Sequence, residues 1–142
     1  MRIKNTILTF CLLAGSVCAT AQEKLDNDPE IKVGKLENGM TYYLRQNSNP
    51  KGCADFYIAH NVGALQEDDN QNGLAHFLEH MAFNGTKHYP DKQLLEFLAK
   101  DGVRFGYNVN AYTSRFETVY NLSDIPLARE SFVDSVMLIL HD

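Results

Sequence analysis

One run in this sequence concentrates the residue types that do chemistry: His76-Phe77-Leu78-Glu79-His80. On a helix, positions i and i+4 lie one turn apart on the same face, so the two imidazoles can point at one metal ion. Glu79, three residues after His76, lies close to that face. Imidazole nitrogen suits zinc, and a catalytic zinc site keeps three protein ligands with a fourth position open to water. Zinc lowers the pKa of that water to about 7 and polarises a carbonyl. A carboxylate beside it can take the water's proton and later pass one to a leaving amine, and Glu79 fits that role. Taken alone, the run is also compatible with polar residues on a solvated face or with a purely structural metal.

The run needs a helix to hold it. Leu74, Phe77, Leu78 and Met81 fall at i, i+3, i+4 and i+7, an apolar stripe separate from the histidine face. One side of the helix is therefore expected to pack while the other presents ligands. Glu67, Asp68 and Asp69 precede it and favour its positive end, with Asn72 expected as the cap and Gly85 as the stop.

The flanking sequence alternates between strand and helix patterns. Asn38-Gly39 between residues 31–37 and 40–45 predicts a β-hairpin, because both turn residues must tolerate positive φ. Phe56, Ile58, His60 and Val62 alternate as in a strand, and so do Val103, Phe105, Tyr107, Val109 and Ala111. Residues 113–115 read as a turn and 116–122 as a further strand. Residues 91–100 form a second helix with Leu94, Phe97 and Leu98 inward. Pro126 suits the first turn of a third helix, whose buried face is Phe132, Val133, Val136 and Leu140. The turns are too short for parallel crossovers, so the fold class is α+β, a largely antiparallel sheet with helices packed on one face.

Composition sets the surroundings. The 142 residues carry a net charge of −5 and 44% hydrophobic residues, enough for one modest core. No basic stretch is present, so nucleic acid is not an expected partner. Arg2 and Lys4, the apolar run 7–14 and Ala19-Thr20-Ala21 before Gln22 read as a signal peptide over residues 1–21. The protein is thus expected to be exported, to a periplasm or outside the cell, with no membrane span after cleavage. Residues 22–30 form a flexible lead-in, and 31–142 the folded part. Cleavage removes Cys11 and Cys18 and leaves Cys53 without a partner for an internal disulfide.

The stretch from Asn72 to Thr86, NGLAHFLEHMAFNGT, resembles the signature of the pitrilysin/insulysin family of zinc metallopeptidases, which carries the inverted His-x-x-Glu-His order. The resemblance runs from about Lys35 to the end. It includes the Leu36-Glu37-Asn38-Gly39-Met40 hairpin, the Gly63 and Glu67 region, Lys87 to Pro90, and Asn110-Ala111-Tyr112-Thr113-Ser114 with Glu117-Thr118. The Phe83-Asn84-Gly85-Thr86 version is similar to the bacterial periplasmic branch. The resemblance implies that His76 and His80 bind one zinc per complete catalytic domain and that Glu79 activates water. It implies an extended peptide or unfolded protein as substrate, held as an extra strand against the edge carrying Asn110 and Ala111.

It also implies a gap. The family's third ligand is a glutamate on a helix farther downstream than Asp142, and Glu96, Glu117 and Glu130 do not occupy its position. Residues 31–142 are therefore expected to be the N-terminal part of the metallopeptidase domain. They would be inactive alone, needing downstream domains or a homologous second half as partner. The competing reading is a non-catalytic peptide-binding or structural homologue of the same fold. Degenerate relatives usually lose the motif, and here all three residues stand.

Overall fold

The computed structural model describes residues 28–142. The expected signal peptide, and all but the last three residues of the lead-in, lie outside the described residues. The chain divides into two compact units, one extending to Gln46 and the other running from Asn47 to Asp142.

In the first unit, β1 (Ile31–Lys35) pairs antiparallel with β2 (Thr41–Arg45), Ile31 opposite Arg45 and Lys35 opposite Thr41. The hairpin forms where expected, but its connection runs from Leu36 to Met40 and Asn38 does not take the positive φ expected of both turn residues. Gly39 has φ +90°, and the Asn38 side chain accepts the Met40 N–H at 3.0 Å.

The second unit is built on a three-stranded antiparallel sheet in the order β3 (Cys53–His60), β5 (Thr118–Pro126), β4 (Val109–Thr113). Helices α1 (Leu74–Met81), α2 (Gln93–Lys100) and α3 (Glu130–His141) accompany it. Register decides which side chains share a face. Val109 opposes Leu122, Ala111 opposes Tyr120 and Thr113 opposes Thr118, so all six lie on one side of the sheet. At one end of that side, Val109 and Leu122 join Leu94 and Leu98 of α2, Phe132 and Val136 of α3, and Val103 and Ile125 in a single core. At the other end, Thr113 bonds to Glu79 of α1, with Thr118 bonded behind it. Core and candidate site are therefore two ends of one face.

Several expectations need correction. The alternation over 103–111 is not a strand until Val109. Arg104 to Val109 instead closes a tight loop, in which the N–H groups of Asn108 and Val109 both donate to the Arg104 carbonyl. Gly106 at φ +79° allows the reversal, and the buried Asn108 side chain accepts from Arg104 N and donates to the Ser123 carbonyl. The turn lies at Ser114 to Glu117 rather than 113–115, so Thr113 belongs to β4. Pro126 ends β5 opposite Cys53 instead of opening a helix, a strand-end position where its missing N–H costs no ladder bond. Finally, the α1 stripe is not packed. Phe77 and Leu78 are 61% and 67% exposed, Leu74 and Met81 are exposed too, and the one buried residue of α1 is Glu79. Each helical residue turns about 100°, so a helix that aims Glu79 at the sheet aims Phe77 and Leu78 away from it.

Candidate functional site

Helix α1 is held from its N-terminal end. Its cap position is Gly73, at φ +90° and without a side chain, rather than Asn72. The missing cap is supplied from a distance. Both oxygens of Glu67 accept backbone N–H groups, from Ala75 and from Gly73, each at 2.7 Å. These bonds hold the Glu67 carboxyl below its ordinary pKa, the Ala75 N–H most and the Gly73 N–H next, against a smaller opposing effect of burial. A carboxylate here also complements the positive end of the helix. Behind α1, Ala64 and Leu65 donate backbone N–H groups to the carbonyls of Ser114 and Arg115. This seats the segment after β3 on the β4–β5 turn.

The helix turn then places the two histidines as their spacing predicts. Nε2 of His76 and Nε2 of His80 lie 3.1 Å apart, with ring centroids at 4.7 Å. Two nitrogens each about 2.0–2.1 Å from one tetrahedral zinc would be about 3.3 Å apart. The pair therefore fits a shared metal ion. Among the described residues no group of three His, Cys, Asp or Glu side chains converges as a metal site. The pair could supply two ligands, and neither Glu96, Glu117 nor Glu130 converges on it. Glu117 is otherwise engaged: it accepts the Tyr112 hydroxyl at 2.7 Å, which holds that phenol above its ordinary pKa.

Glu79 is 7% exposed, and its Oε2 accepts the Thr113 hydroxyl at 2.9 Å. Tyr120 stands near enough that burial first, and the Glu79 charge second, raise its pKa. Asn110 and Ala111 lie on β4, one of the two edge strands of the sheet. The Ala111 N–H donates to the Asn110 side-chain oxygen at 3.0 Å. An open groove of about 360 Å³ runs beside His76, with Glu67, Thr113 and Arg115 in its walls. The sequence places Thr113 in a turn, with nothing local to mark it as functional. Glu67 is legible in the sequence as one of three acids ahead of a helix and as part of the family resemblance, with no role of its own.

The family model described as Insulinase (Peptidase family M16) matches residues 42–142, and the chain belongs to this family. It is 39% identical over 137 residues to the probable zinc protease PqqL of Escherichia coli (strain K12), covering 96% of this chain and 14% of that protein. It is 40% identical over 127 residues to the mitochondrial-processing peptidase subunit beta of Bos taurus, covering 85% of this chain and 24% of that one. The crystal structure of the first half of the periplasmic protease PqqL from Escherichia coli superposes with a TM-score of 0.78 at 41% identity, over 82% of this chain and 25% of that one. The chain thus spans about one seventh of the length of the first curated relative it matches. The family and the α+β fold expected from the sequence are both met.

Proposed function

We propose that this chain forms the N-terminal part of the catalytic domain of an exported zinc metalloendopeptidase. The observation that carries the reading is the 3.1 Å separation of the His76 and His80 nitrogens on the helix that also buries Glu79. His76 and His80 would hold the zinc, whose contribution when bound is to acidify a water and polarise the scissile carbonyl. Glu79 takes the proton of the attacking water and returns one to the leaving amine. The edge of β4 at Asn110 and Ala111 receives the substrate as an added strand, using main-chain hydrogen bonds. The third ligand comes from outside the described residues, in downstream domains or a homologous second half. Residues 1–21 direct export to the periplasm, as the periplasmic relative suggests.

The test uses the protein expressed from its complete reading frame without residues 1–21. The expected result is one zinc per catalytic domain, with peptide hydrolysis abolished by a chelator. Glu79→Gln should retain zinc and lose at least about 100-fold in kcat. A complete protein that binds no zinc would leave the non-catalytic reading in place. Residue-level export is checked separately: the form recovered from the periplasm should begin at Gln22.

A further inference from the structure

We infer that Thr113, backed by Thr118, is a positioning residue that fixes the Glu79 carboxylate for its role. The inference rests on the reading of Glu79 as the base. A glutamate side chain carries large rotamer freedom, and a carboxylate taken out of water needs donors to replace it. The only side-chain donor to Glu79 among the described residues is the Thr113 hydroxyl, at 2.9 Å. In this bond the hydroxyl donates and the carboxyl oxygen Oε2 accepts.

Thr113 suits the task for two reasons. Its β-branched side chain has few χ1 choices, and it sits at the end of β4 directly opposite Thr118 on β5. The buried Thr118 hydroxyl lies 3.3 Å from that of Thr113 and 2.9 Å from the Val62 carbonyl oxygen. Thr118 can therefore share its proton between the two while Thr113 spends its own on Glu79. The chain Val62, Thr118, Thr113, Glu79 ties one oxygen of a helical carboxylate to two strands and to the segment after β3. With Oε2 anchored to the sheet, the rotation of the carboxylate is fixed, and with it the direction in which Oε1 points. Removing the anchor should disturb orientation while leaving the histidines and the peptide-binding edge in place.

Two measurements test this, one independent of activity. In the complete protein, Thr113→Val should lower kcat by about 100-fold, with KM and zinc content unchanged. Thr113→Ser, which keeps the hydroxyl, should restore most of it, and Thr118→Val should cost about tenfold. In the metal-free chain, Thr113→Val should lower Tm by about 4 °C when Glu79 is present and by much less in a Glu79→Ala background. An equal loss of Tm in both backgrounds overturns the link. So does an unchanged kcat in Thr113→Val, or a loss of kcat that Thr113→Ser does not relieve. A complete protein that hydrolyses no peptide overturns the metallopeptidase reading instead. The stability cycle, needing no activity, still upholds or overturns the Thr113–Glu79 link.

Discussion

Helices α1 and α3 carry similar apolar stripes and meet opposite fates. In α3, Phe132 and Val136 are 2% and 0% exposed and sit in the core with α2 and the sheet. In α1, the apolar residues face outward and a carboxylate faces the sheet. A helical period in a sequence shows that an apolar face exists; it does not show what covers it. The orientation of α1 is set by ties at three places, two polar and one aromatic. Glu67 holds its first turn, Thr113 holds Glu79, and Phe83, just past its end, contacts the Tyr120 ring. The α3 interface is held by area removed from water, worth about 1.5–3 kcal/mol for each large side chain fully buried. One helix is held by a few specific contacts and the other by buried area.

The largest expected effect is on the stability side. Phe132 stacks at 5.8 Å from Phe97, with the Arg129 guanidinium 5.3 Å from its ring centre. Phe132→Ala should destabilise the chain by about 3–5 kcal/mol, read by urea denaturation, because the ring leaves a cavity that close-packed neighbours fill only partly. A cost below about 1 kcal/mol, the level of an ordinary surface change, would erase the contrast between the helices.

Next comes the seat of the site. Gly63 has extended backbone, so alanine there meets no conformational penalty. Its Cβ would, however, press on Ser114 O and come within 2.8 Å of Arg115 C and Glu117 N. Backbone cannot swing aside as a side chain can, so Gly63→Ala should cost about 1–3 kcal/mol. The β4–β5 turn would shift, with Thr113 and Thr118 at its two ends. A neutral Gly63→Ala would mean that the turn is loosely seated and that α1 is not placed by contacts this tight.

How much of this was legible follows from distance along the chain. His76, Glu79 and His80 share one helical turn, so their geometry is local and their spacing announces it. The Asn38-Gly39 hairpin is local in the same way and forms where expected. Thr113 is 34 residues from Glu79, and nothing near either position signals the pairing. It becomes visible only once the register sets Thr113 opposite Thr118. The strand pattern over 103–108 misled because alternation carries no record of Gly106 reversing the chain or of Asn108 bonding inward. The α1 stripe misleads because amphipathicity does not name the inward face, whereas hydrogen bonds to Glu67 and Glu79 decide it.

A smaller effect should follow from loosening the helix start. Glu67 has its pKa lowered by the Ala75 and Gly73 N–H groups. A group whose folded pKa is depressed contributes stability that is present above its unfolded value and lost as pH falls through the folded one. The wild-type chain should therefore lose stability as pH drops below about 4.5, the ordinary value for this group. Glu67→Gln, whose amide nitrogen cannot accept, gives up one of the two bonds at every pH. Its Tm should be lower than wild type at neutral pH, and the gap should close under acid. A constant gap from pH 7 to pH 3, an acid range reaching below the usual carboxylate pKa, would show that the carboxylate's charge contributes nothing to holding α1.

The smallest expected effect is the most direct test of the two-helix contrast. Phe77 is 61% exposed, so Phe77→Ser should change the stability of this chain by no more than about 0.5 kcal/mol. Serine and phenylalanine have similar helix propensities, which removes the backbone as a confounding cause. A cost above about 2 kcal/mol would mean that the stripe packs in solution, and that α1 is held by area much as α3 is. The same substitution in the complete reading frame asks a second question. A neutral change in this chain with a large cost there would show that another segment covers the stripe. The pattern in the sequence would then be a correct record of burial, made by residues outside 28–142. Neutrality in both would leave α1 as a helix fixed by Glu67, Glu79 and Thr113, with its apolar side open beside the His76–His80 pair.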